Sequence, residues 1–156
     1  MFMDARETTV DAPRGRVFDA LARLGERRRA SPLDWAWRMR ETLDRKAVRT
    51  PFGQAPPPAR RLGPGDALGC WRVERLDPGR SLALRALLRL PGEARLDYTV
   101  ESLSEAPPRA RLIQRSRFRP NGWLGRLYWW LLYPLHALVF RATLRAVARE
   151  ATRENP

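Results

Sequence analysis

Lysine is almost missing from this chain: of its 30 basic residues only Lys46 is lysine, and the rest are arginine. With abundant Ala, Leu, Pro and Gly, that skew reflects GC-rich coding. The net charge of +13 is therefore a weaker nucleic-acid signal than its size suggests, although it still favours anionic partners. A single cysteine, Cys70, excludes an intrachain disulfide and a thiolate metal cluster. A single histidine, His136, excludes a histidine pair or a His-based metal site, so neither a metal nor a cofactor is expected. The N-terminal MFMDARETTV has no basic n-region and no apolar h-region. No signal peptide is expected, and the expected location is cytoplasmic. Long hydrophobic runs are missing as well. The uncharged run at 127–140 has 14 residues, bracketed by Arg126 and Arg141, against about 20 needed to cross a bilayer.

What the chain does have is one long helical pattern, residues 122–151. Stepping 100° per residue places Trp129, Tyr133, His136, Phe140, Leu144, Val147 and Ala151 on one face, the expected core face. The opposite face starts apolar with Leu127, Trp130, Leu131 and Leu138. It then becomes a ladder of Arg141, Arg145, Arg149 and Arg153, a solvated face or a basic surface for anions. Pro134 lies inside the pattern, where it removes the bond to the carbonyl of Trp130 and should kink the axis. A buried helix is favoured over an interfacial one.

The 156 residues fit one domain, which reads in order as follows. Residues 6–12 alternate as a strand. A helix follows from Asp11-Ala12-Pro13, with Val17, Phe18, Leu21 and Leu24 as its stripe and Gly25 at its end. A second, shorter helix is expected from Ser31 to about Leu43, with Trp35, Met39 and Leu43 one turn apart. Residues 50–65 are too rich in proline and glycine for regular structure and read as a flap. Residues 68–76 read as one strand, ended by the turn Asp77-Pro78-Gly79-Arg80. Three alternating segments follow, at 81–90, 93–102 and 109–119. They place Leu82, Leu84, Leu88, Leu96, Tyr98, Val100, Leu112, Gln114, Ser116 and Phe118 on one face and arginines on the other. Glu93, Asp97 and Glu101 are the expected cross-strand partners of those arginines. Strand, two helices, antiparallel meander and long terminal helix together make an α+β helix-grip fold, in which a curved antiparallel sheet wraps the C-terminal helix.

The runs LDWAWRMRETLDR at 33–45, GDALGCWRVERLDPGRSLALRALLRLPGEARLDYTVE at 65–101 and RFRPNGWLGRLYWWLLYPLHALVF at 117–140 carry a closer likeness. They resemble a bacterial domain family of unknown function that is often fused C-terminally to short-chain dehydrogenase/reductase-like, NAD-dependent epimerase-like domains. The resemblance implies membership of the SRPBCC (START/polyketide cyclase-like) superfamily and a cavity between sheet and helix. The chain departs from the family pattern at Gly69 and Cys70, where an acidic residue and Phe are usual, and at Leu87-Leu88, where Glu-Met is usual. The proline-rich loop replaces a Gly-rich segment. These departures imply a more apolar cavity. No Rossmann glycine fingerprint is present, so the dehydrogenase chemistry does not transfer.

The function expected from these residues is a non-catalytic cytoplasmic binding module for a hydrophobic or amphipathic small molecule. The expected lining is Trp71, Leu88, Tyr98, Gln114, Ser116, Trp129, Tyr133 and His136. Polar groups on an inward face must find partners in each other, water or a ligand, and mainly apolar cavities with a few convergent polar groups suit small molecules. The enzymatic alternative is a cyclase- or dehydratase-like activity with His136 or Tyr98 as acid/base. A triad would need His136 to meet Ser116 or Cys70 with an acid such as Glu74 or Asp97. A third class is docking through the terminal helix, to an anionic surface such as the inner membrane, to a partner domain or to a second copy. Nucleic acid is disfavoured because the aromatics sit in the helix and not among the strand arginines.

Overall fold

The computed structural model describes residues 1–26, 62–68, 71–87 and 90–153. The expected second helix with Trp35 and Met39, most of the proline-rich loop, Gly69, Cys70 and Leu88 lie outside the described residues. The described elements are β1 (Phe2–Val10), α1 (Arg14–Glu26), β2 (Ala67–Leu68), β3 (Trp71–Asp77), β4 (Ser81–Ala86), β5 (Gly92–Glu105), β6 (Pro108–Pro120) and α2 (Gly122–Thr152). The six strands form one antiparallel sheet in the order β1-β6-β5-β4-β3-β2.

The meander forms because its alternation has period two. Leu82, Leu84, Leu96, Tyr98, Val100, Leu112, Gln114, Ser116 and Phe118 are all buried on one face, as the pattern requires. The other face carries charge. Arg85 bonds Glu93 at 2.8 Å and approaches Glu74 at 4.0 Å, Arg95 approaches Glu74 at 3.9 Å, and Arg117 pairs with Asp97. Glu101 lies opposite Arg111 in register. Bulges between Val73 and Arg75 and between Ser102 and Ser104 add local twist to the curved sheet.

Two strand boundaries differ from the sequence reading. β1 starts at Phe2, four residues earlier than the expected residue 6. Residues 68–76 do not make one strand, because β2 folds back antiparallel on β3, with Leu68 opposite Trp71. The turn at Asp77-Pro78-Gly79-Arg80 forms as expected. The Arg80 amide donates to the Asp77 carbonyl at 3.0 Å, and Gly79 takes φ +77°, the left-handed geometry that a type II turn demands of its third residue.

Helix α2 runs unbroken through Pro134 and packs against α1, β1 and β6. Its buried residues are Gly125, Trp129, Val139, Leu144, Val147 and Ala151, so the expected core face is broadly right. Tyr133 is the exception, at 37% exposed. The main core gathers Leu144, Val147 and Ala151 with Val17, Phe18 and Leu21 of α1 and the leucines and valines of the sheet. At the other end of the helix an aromatic stack closes the fold. Trp129 stacks on Phe2 and on Phe118, with centroids 5.3 and 5.6 Å away and rings nearly parallel. The N-terminus of α2 is seated by the turn at Pro91-Gly92. The Asn121 amide donates to the Pro91 carbonyl at 2.8 Å, and a Cβ on Gly125 would lie 2.2 Å from that same oxygen. The LPG and GRLYW motifs therefore touch in space.

Candidate functional site

Strand register builds two adjacent rows across the inner face of the sheet. One runs Val73, Leu84, Leu96, Ser116, Asp4; the next runs Leu76, Leu82, Tyr98, Gln114, Arg6. Directly paired residues point to the same side of a sheet, so each row is apolar on β3 and β4 and polar on β6 and β1. The polar end lies on the strands over which α2 packs.

Within that polar end, Arg6 Nε donates to Asp4 Oδ2 at 2.8 Å, with both side chains only 14% exposed. The Ser116 hydroxyl donates to the Asp4 carbonyl at 3.4 Å. Gln114 is different. Its residue exposure is 1%, yet neither the amide nitrogen nor the amide oxygen of its side chain has a hydrogen-bond partner. A buried amide left this way costs about 1–3 kcal/mol, so it calls for an explanation in terms of what it could bind.

The expected site residues separate into three groups. Tyr98, Gln114 and Ser116 are brought together on adjacent rows. His136 is half-buried on the sheet-facing side of α2, its ring 6.2 Å from Trp129 and stacked at 5.7 Å on Phe140. Trp129 stacks on both Phe2 and Phe118 at the end of the sheet. Tyr133 touches Trp129 at 5.8 Å and stands at the rim. Trp71 is half-buried at the far edge of the apolar end, packed against the core. Leu88 falls outside the described residues. The triad geometry does not assemble, because Glu74 and Asp97 lie on the outer face in ion pairs with arginines. The inward acid is Asp4, which the sequence reading missed together with Arg6. The signal was present: counting back by twos from Val10 gives Thr8, Arg6, Asp4 and Phe2. Among the described residues no group of three or more His, Cys, Asp or Glu could hold a metal ion.

A family model described as "Protein of unknown function (DUF2867)" matches residues 1–143. The chain belongs to this family. The match reaches well upstream of Leu33, where the sequence likeness was placed. No curated protein matches the chain. Among solved structures, the chain is similar to the Zhui aromatase/cyclase from Streptomyces sp. R1128, with 23% identity over 97% of this chain and 94% of that one and a TM-score of 0.54. It is also similar to Ara h 8.0201, with 11% identity over 96% and 97% of the two chains and a TM-score of 0.52. The di-domain ARO/CYC BexL gives 15% identity over 96% of this chain and 46% of that one, at a TM-score of 0.53. Likeness at these identities fixes the fold, which is the helix-grip fold expected from the order of elements.

Proposed function

We propose that this member of the DUF2867 family is a cytoplasmic binding module for an amphipathic small molecule held between the sheet and α2. The observation that carries this reading is the Gln114 side chain, buried to 1% exposure with both polar atoms unpartnered. An amide in that position offers an NH2 donor group and a carbonyl acceptor to a ligand. The neighbouring residues supply the rest of the shape: Leu82, Leu84, Leu96 and Val73 for an apolar body, and Tyr98 and Ser116 beside the amide for a polar end. Such a layout matches small-molecule sites in general, which are mainly apolar with few polar groups that fix orientation. Trp71 and Tyr133 belong to the outer parts of the same lining.

The test is a titration with the neutral naphthalene dye prodan, whose carbonyl can accept from the Gln114 amide. Wild-type protein is expected to bind it with a blue-shifted emission. Gln114→Leu removes the unpaired amide at nearly constant volume, so it should raise stability by about 1–2 kcal/mol and weaken the dye by at least about tenfold, the value of one good hydrogen bond to a buried group. Unchanged affinity in that variant would sink the assignment of Gln114. The enzymatic alternative, with His136 or Tyr98 as acid/base, would show itself as product formation lost in His136→Ala.

A further inference from the structure

The outward side of α2 is unlike a solvated helix face. Trp123, Leu124, Leu127, Trp130, Leu131 and Leu138 are between 55% and 75% exposed. Spacings of three, four and seven residues between them keep them on one side of the helix, so they form one stripe about 24 Å long at 1.5 Å per residue. Isolated exposed apolar residues are ordinary, but a contiguous stripe with two tryptophans marks a contact surface.

Charge decides what that surface fits. Arg126 stands beside the stripe, and Arg141, Arg145 and Arg149 continue it toward the C-terminus, all exposed. The helix carries one acidic residue, Glu150, which is engaged by Arg153 at 3.5 Å. A second copy docking antiparallel through this face would cover the apolar stripe alone and leave Arg141, Arg145 and Arg149 beyond its ends, with no carboxylate on the stripe to pair with them. Anionic lipid answers both halves of the surface: phosphates for the arginines and the acyl boundary for the leucines and indoles, which favour that depth. The helix is long and apolar enough by length and composition to cross a membrane. Crossing would strip Trp129, Val139, Leu144 and Val147 from the core they occupy, so the helix must lie along the membrane.

We propose that the outer face of α2 docks the protein flat on an anionic membrane surface. Co-sedimentation with vesicles of equal parts phosphatidylcholine and phosphatidylglycerol tests this. At low salt the wild type is expected to bind them at least about tenfold more tightly than pure phosphatidylcholine vesicles, and to be released as salt rises. Trp130→Asp with Leu131→Asp, and separately Arg141→Glu with Arg145→Glu and Arg149→Glu, should each reduce binding at least about tenfold with the circular dichroism spectrum unchanged. Quenching of wild-type tryptophan emission by brominated lipid reads the same insertion without any substitution. Wild-type protein that stays in the supernatant with anionic vesicles, and is not quenched, overturns the proposal. So does a dimer that the Trp130→Asp, Leu131→Asp variant dissociates and that binds no vesicles. Prodan binding by the wild type is a separate readout, so loss of one does not imply loss of the other.

Discussion

Replacing Trp129 by Ala is expected to remove about 3–5 kcal/mol of folding stability, the usual penalty for truncating a buried tryptophan. The size follows from position. Trp129 is 7% exposed, and its ring stacks on two others, Phe2 and Phe118. Such pairs contribute about 0.5–1.5 kcal/mol each beyond the area they bury. The stack also ties three distant pieces of chain together, the first residues of β1, the end of β6 and the second turn of α2. Its neighbour Trp130 is the internal comparison. At 67% exposed, with one edge contact to Phe2 at 6.1 Å, it should lose no more than about 1.5 kcal/mol on truncation. Denaturant unfolding separates the two, and equal losses would show that the helix faces are assigned wrongly.

Gly125→Val should be nearly as damaging, at about 3 kcal/mol or more. A Cβ at this position would sit 2.2 Å from the Pro91 carbonyl oxygen and 2.8 Å from the Pro120 side chain. The oxygen is backbone and already accepts from the Asn121 amide, so no flexible side chain can move aside. The facing residue of the turn is equally constrained. Gly92 adopts φ +154°, and a Cβ there would lie 2.3 Å from the Arg119 carbonyl oxygen. The expected readout is a lowered denaturation midpoint with an unchanged slope. A stable Gly125→Val protein would mean that α2 is seated in some other way.

These two contacts show where sequence reasoning reaches and where it stops. The face of α2 that holds Trp129 and Leu144 was legible, because helical period is a local property of the chain. The inward register of Tyr98, Gln114 and Ser116 was legible for the same reason, since alternation fixes which face a strand residue takes. The contact between Gly125 and Pro91 was not, because both motifs are visible in sequence but their meeting is a tertiary fact. Asp4 and Arg6 were missed for a different reason. The strand was started at residue 6 and its alternation was not followed back from Val10 to Arg6 and Asp4, which stand in register with Gln114 and Ser116. The hairpin of β2 and β3 was hidden because Leu68 to Trp71 offered no turn signal strong enough to divide an apolar run.

The proposed binding function sets a ligand on the Gln114 amide inside the fold. Isotope-edited NMR observes the side-chain NH2 pair of Gln114 directly, assigned by its loss in Gln114→Leu. On titration with prodan, that pair is expected to shift in step with dye binding and to gain protection from exchange with water, as a hydrogen-bonded buried amide should. A Gln114 resonance that stays fixed while residues on the outer face of α2 shift would contradict the claim and place the dye on the surface stripe instead.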